Sequence, residues 1–278
     1  VRPAPSFLTA SLRIFDFSVG QMLWSRRTIF LGLVVSAPVL VAVILRIVAA
    51  AFQVKGAIRM GTAPIVAGPS IFAFFIWVLY LRVVVPALGV FYGTALVADE
   101  VEDKTITYLF TRPIPRGAVL VGKYLAYLVA TALVVLPSVM IVYFLSVPMG
   151  GGNLGASFPA LLKDLGLLAL GLATYGALFA WVGARFKHPL ITGLVFAFGW
   201  EQLIMLVPGY LRRLTIVYYI QGLVPHAMPQ DNALSVVQAI VADRLSTPLA
   251  LLALLVIWLG FLYLAARTVS KREYVLEQ

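Results

Sequence analysis

"GAVLVGKYLAYLVATALVVL", Gly117 to Leu136, opens like a nucleotide-cradling loop and continues as something else. Its first residues follow the pattern G-x-x-x-x-G-K-[ST] up to the last position. In such a loop, successive backbone N–H groups converge on the phosphates, the lysine meets the terminal ones, and Ser or Thr holds magnesium. Here Tyr124 replaces the hydroxyl residue, Ala118 to Val121 are all apolar, and no strand is expected upstream. From Leu125 to Leu136 the run is apolar apart from Tyr127 and Thr131 and carries no charge. About 20 helical residues suffice to cross a hydrocarbon core of roughly 30 Å. The stretch therefore reads as the head of a membrane span, and the glycine-lysine pair needs another explanation.

The rest of the chain agrees. Of its 278 residues, 62% are hydrophobic and only 12% charged, which excludes an ordinary soluble globule. The apolar runs do not alternate with polar residues, so a closed barrel is excluded too. The expected fold is an all-α polytopic membrane protein. Without cysteine, disulfides, iron-sulfur clusters and thiolate metal sites are ruled out. His188 and His226 have no ligand-spaced neighbours, so no metal site is expected. The net charge of +10 could suggest nucleic acid, but the basic residues flank membrane spans, which makes lipid the expected contact. No cleavable signal peptide is expected, because aromatic and acidic residues precede the first long apolar run. Nor does any G-x-S-x-G or H-E-x-x-H pattern mark a hydrolase, so no catalytic residue is assigned.

Six spans are predicted: Thr28 to Ala51, Ile71 to Ala98, Val119 to Val147, Leu162 to Phe186, Pro189 to Val207, and Pro248 to Thr268. An even number places both termini on one side. With the termini inside, the inner segments carry roughly twice as many Lys and Arg as the outer ones, which favours cytoplasmic termini in the inner (plasma) membrane. The whole chain, 1–278, reads as a single transmembrane domain. Within it, residues 7–27 form an inner interfacial helix, 99–118 a cytoplasmic loop, and 208–247 an outer or re-entrant segment with short helices. The interfacial helix is read from Leu8, Leu12, Phe15, Val19 and Met22 at helical spacing, with Arg13, Arg26 and Arg27 nearby to meet headgroups. On the fourth span, Ala169, Ala173 and Ala177 form one small-residue row and Gly176, Ala180 and Ala184 another. Such rows let helix backbones approach closely, against another span or a second copy. "GGGNLG", Gly150 to Gly155, reads as an outer turn.

The longest inner loop joins spans two and three. It begins with an acidic cluster at Asp99, Glu100, Glu102 and Asp103, continues through Thr105 to Phe110, and bends at "RPIPR", where each proline biases its predecessor away from helix. Lys123 then sits in the head of the third span, where its long side chain can reach the headgroups. A loop this dense in both signs of charge reads as a docking surface for a soluble partner.

The segment "EVEDKTITYLFTRPIPRGAVLVGK", Glu100 to Lys123, resembles the signature of the membrane subunits of type-2 ABC exporters. Glu100, Thr105, Leu109, Pro113, Arg116, Gly122 and Lys123 match its pattern, while Lys104 stands where a small glycine is common. The resemblance implies that separate ATPase subunits, in two copies, bind ATP and magnesium, and that this chain carries no cofactor of its own. It implies a second permease copy, identical or closely homologous, and leaves room for an extracytoplasmic accessory protein. It makes the loop a coupling helix, with Glu100, Glu102, Asp103, Thr105, Leu109, Arg112, Pro113 and Arg116 as the coupling residues.

Two charges fall inside the spans, Arg82 and Glu201. An unpaired Arg at mid-membrane costs about 2.5 to 3.5 kcal/mol on insertion scales. Their similar depth predicts an ion pair, with contact to an exported headgroup or ion as the functional alternative. Competing readings of the whole chain are an ATP-independent secondary transporter, which needs broken helices and mid-membrane ion ligands, and a membrane anchor for another complex.

Overall fold

A computed structural model of the protein describes residues 6–24, 26–51, 58–60, 63–66, 68–102, 116–205, 207, 210–224 and 246–271. It is an all-α polytopic membrane protein, as the apolar runs predict. Helix α1 (Phe7–Leu23) starts at Ser6, whose side chain accepts the N–H of Thr9. Helix α2 (Arg26–Ala51) begins three residues later, with Thr28 Oγ1 donating to the Met22 carbonyl at 2.6 Å across the junction. A small antiparallel hairpin, β1 (Ile58–Met60) and β2 (Ala63–Val66), lies in the next connection, which carries no predicted element.

Helix α3 is a run of segments from Gly68–Phe74 to Ala95–Glu102. Between them the winding widens to π geometry at Phe75–Val84 and at Gly89–Gly93. Pro86 supplies a cause for the first: it has no N–H to give the Arg82 carbonyl, and its ring would crowd that carbonyl in regular α winding. The Val85 N–H accordingly bonds the Tyr80 carbonyl, five residues back. Helix α4 (Arg116–Ser146) contains the whole stretch from Gly117 to Leu136. Helix α5 (Leu154–Arg185) begins well before the expected Leu162, because Asn153 caps it, accepting from the N–H groups of Gly155 and Ala156 at 2.8 and 3.4 Å. The turn before it, expected from "GGGNLG", holds Gly151 at φ 84°, a conformation that favours glycine. The described chain continues through α6 (Pro189–Ile204), a short 3-10 helix at Tyr210–Leu214, α7 (Ile216–Gln221) and α8 (Thr247–Lys271).

Helices α2, α3, α4, α5 and α8 are long and apolar enough to cross a membrane. The fifth predicted span is shorter than expected: α6 ends at Ile204, and at 1.5 Å per residue it falls short of a core of roughly 30 Å. Connectivity nevertheless returns the chain to the end where it started. A Cβ on Gly117, at the head of α4, would sit 3.7 Å from the Phe7 ring and 3.9 Å from Ser270 Oγ, so the start of α1, the start of α4 and the end of α8 gather at one end of the bundle. At the other end, Gly68 opens α3 against the Val147 and Met149 carbonyls just beyond the end of α4. With α5 finishing at the first end, α6 and α7 together carry the chain across to the start of α8.

Helix α4 is the hub, packed against α1, α2, α5 and α8. Buried tyrosines pin it there, each with its hydroxyl satisfied as a buried phenol requires. Tyr124 Oη donates to the Ala173 carbonyl and accepts from Trp258 Nε1, both at 2.6 Å, and Tyr127 Oη donates to the Leu172 carbonyl at 3.0 Å. The small-residue rows of α5 face into this packing: a Cβ on Gly176 would fall 2.1 Å from the Tyr127 ring, and Ala173, Ala177, Ala180 and Ala184 are buried. They serve contacts between spans of this chain.

Candidate functional site

Two places bring the candidate residues together. The first is the end of the bundle that gathers α1, α4 and α8. Gly122 is buried in α4, where a Cβ would meet the Ser11 carbonyl at 2.6 Å and Ile14 Cβ at 2.9 Å. The glycine that imitates a phosphate loop is thus a seat for α1. Residues 117–124 are helical, so the N–H groups of Gly122 and Lys123 point along the helix to carbonyls one turn back and cannot converge on a phosphate.

Helix α1 docks chiefly through small residues, with Phe15, Val19 and Met22 of the predicted stripe half-buried beside them. Ala10, Ser11 and Ser18 are buried, while Leu8 and Leu12 of the predicted stripe, together with Phe17, stay exposed. Small residues permit close approach, and the large ones are left where a membrane surface would cover them. Arg13 is exposed on the same helix, and Lys123 is half-buried beside the docking seat. Arg26 and Arg27 open α2. Of the coupling residues, Glu100 and Glu102 end α3 and Arg116 begins α4. Asp103, Thr105, Leu109, Arg112 and Pro113 lie outside the described residues, as do residues 225–245 of the predicted outer segment.

The second place is a polar layer inside the bundle. Glu201, fully buried where α6 turns, accepts from the Tyr175 hydroxyl of α5 and from the Ile216 N–H at 2.9 Å. Its carboxylate therefore holds the first turn of α7 against α5 and α6. Arg82 of α3 takes a different partner: its guanidinium lies 4.2 Å from the centre of the Trp77 ring. Among the described residues no ion pair joins Arg82 and Glu201. Tyr175 stands between them, bonded to the carboxylate and within electrostatic range of the guanidinium. The two charges share a layer with a phenol interposed, so in this geometry the expected direct pair is not made.

Trp77, Tyr175, Ile216 and Gln221 carry this layer and were not singled out by the sequence. Hydrogen bonds in a π-helix run over five residues, so Trp77 and Arg82, five apart, come to share a face within Phe75–Val84. Read at 3.6 residues per turn, the same spacing places them on different faces. Tyr175 and Ile216 meet Glu201 from distant parts of the chain, and no local spacing announces such a contact.

Five long apolar helices packed around a hub, with a layer of buried polar residues between them, define a multi-pass membrane protein. The chain belongs to the ABC-2 transporter family: the model of the family described as "ABC-2 family transporter protein" matches residues 19–274. Membrane subunits of this family are generally non-catalytic and work with an ATPase subunit. No curated protein matches the chain.

Proposed function

We infer that this chain is the permease subunit of an ATP-driven exporter, and that the 99–118 loop receives the stroke of a separate ATPase. The observation that supports this reading is the convergence around Gly117. Both roots of the charged loop, Glu102 on α3 and Arg116 on α4, belong to helices packed against each other, and the head of α4 is flanked by Phe7 of α1 and Ser270 of α8. A load applied to the loop reaches the spans through helices already braced on both sides. The seating of Ser11 on Gly122 makes α1 move with the head of α4. Only a stiff connection of this kind transmits displacement.

In this reading the braced end faces the cytosol of the inner (plasma) membrane, with both termini beside it. Two ATPase copies bind ATP and magnesium, and this chain binds neither. A second permease copy completes the path, with an extracytoplasmic accessory protein as a further partner. The test is purification of the tagged chain from its own membrane in mild detergent. A nucleotide-binding protein is expected to accompany it in roughly stoichiometric amount. Recovery without one would favour a secondary transporter, and recovery with a partner devoid of ATPase activity an anchor; either result overturns the reading.

A further inference from the structure

Among the described residues, the cation of the polar layer has no counter-charge at hand. Arg82 lies near the middle of α3, its Nε is buried without a hydrogen-bond partner, and among the described residues no carboxylate stands within 4.0 Å of its guanidinium. Glu201, the acid of the same layer, is already engaged by Tyr175 and Ile216. Trp77 offers Arg82 the face of its ring, which stabilises a cation but accepts none of its directed N–H groups. A second donor is in the same position: Gln221 Nε2 of α7 is buried and unpartnered. Both side chains line one shallow cleft between α3 and α7. The rest of its wall is Trp77, Leu81, Val217 and Ile220.

We propose that this cleft binds the anionic group of an amphiphile, a carboxylate or phosphate attached to an apolar chain. Two orphaned donors, one of them positively charged, call for an acceptor with more than one oxygen and a negative charge. Indole and aliphatic walls at this depth select against a freely hydrated ion and favour a molecule that brings its own hydrocarbon. Binding supplies the half-buried Arg82 with the counter-charge that the described residues do not provide. The amphiphile is either a resident anionic lipid or a single-chain molecule in passage, and the chemistry at Arg82 is common to both. This inference does not depend on the ATPase.

Bromine on an acyl chain quenches nearby tryptophan, and Trp77 stands at the site, so the full chain can report its own ligand. It is reconstituted in phosphatidylcholine vesicles containing a minor fraction of brominated phosphatidylglycerol or, as control, brominated phosphatidylcholine. In a second arm, brominated palmitate is added to vesicles lacking the anionic lipid. Quenching beyond the control is expected to saturate in one arm and to vanish in Trp77→Phe, which identifies the reporter. Arg82→Gln is expected to weaken the apparent affinity about tenfold, as befits the loss of a charge-assisted hydrogen bond, with Arg82→Lys intermediate and Gln221→Leu a smaller loss. Gln221→Leu keeps the test open if Arg82→Gln does not assemble. Arg82-dependent quenching by phosphatidylglycerol assigns the site to resident lipid, and by palmitate to a mobile amphiphile. Quenching equal to the control in both arms, or unchanged in Arg82→Gln and Gln221→Leu, overturns the proposal.

Discussion

Gly122 and Ser11 meet backbone to backbone: a Cβ on the glycine would stand 2.6 Å from the serine carbonyl oxygen, closer than real Cβ contacts come. The α1–α4 junction therefore has no room for a side chain at residue 122. Gly122→Ala should push α1 away from α4 and cost on the order of 1–3 kcal/mol, the range for overpacked cores. Part of the crowding comes from Ile14, whose Cβ and Cγ2 lie at 2.9 and 3.0 Å, so Ile14→Ala should partly restore the variant, while substitution of the Ser11 side chain should not. Hydrogen exchange across residues 7–23, measured together with the thermal midpoint in detergent, checks this. Unchanged exchange in Gly122→Ala would show that α1 is not seated as described.

Glu201 fixes the turn between α6 and α7 through two donors, the Tyr175 hydroxyl and the Ile216 N–H. Glu201→Leu leaves both buried without an acceptor, at about 1–3 kcal/mol each. Glu201→Gln keeps one acceptor oxygen and nearly the same shape, so its loss should be less than half as large. Tyr175→Phe removes one donor and leaves the other satisfied, and should fall between wild type and Glu201→Leu. Thermal midpoints of the four proteins, with exchange of the Ile216 amide, give the ranking. Equal losses for the leucine and glutamine variants would mean that the carboxylate does not organise α7.

The long apolar runs made most of the fold legible, since length and lack of charge are what a hydrocarbon core requires. Where the sequence pattern misled, the missing information was geometric. The docking face of α1 includes the small residues Ala10, Ser11 and Ser18, to which a hydrophobic periodicity gives no weight, while along its stripe Leu8 and Leu12 are exposed and Phe15, Val19 and Met22 are half-buried. The widened turns of α3 moved Trp77 onto the face of Arg82. The fifth span was drawn to Val207 on apolarity, but Pro208 already biases its predecessor away from helix, and α6 stops at Ile204. Arg82 and Glu201 were visible because charges in apolar runs are rare, whereas their actual neighbours were ordinary aromatic residues until the helices assembled.

The 99–118 loop is rooted in Glu100 near the end of α3 and in Arg116 at the start of α4, two helices held along their length by apolar packing in the bundle. Exchanging the charges, Glu100→Arg with Arg116→Glu, should therefore leave the thermal midpoint of the isolated chain close to wild type. Its effect should fall on the ATPase contact, because truncating or reversing charges at an interface chiefly alters association and register. Transport in reconstituted vesicles is expected to fall about tenfold while ATP hydrolysis by the partner persists, the signature of a broken linkage. A reversal that destabilises the isolated chain would instead make the two residues structural. Full transport by a stable double variant would remove the coupling role from this loop and leave the stroke to enter through another surface at the same end of the bundle.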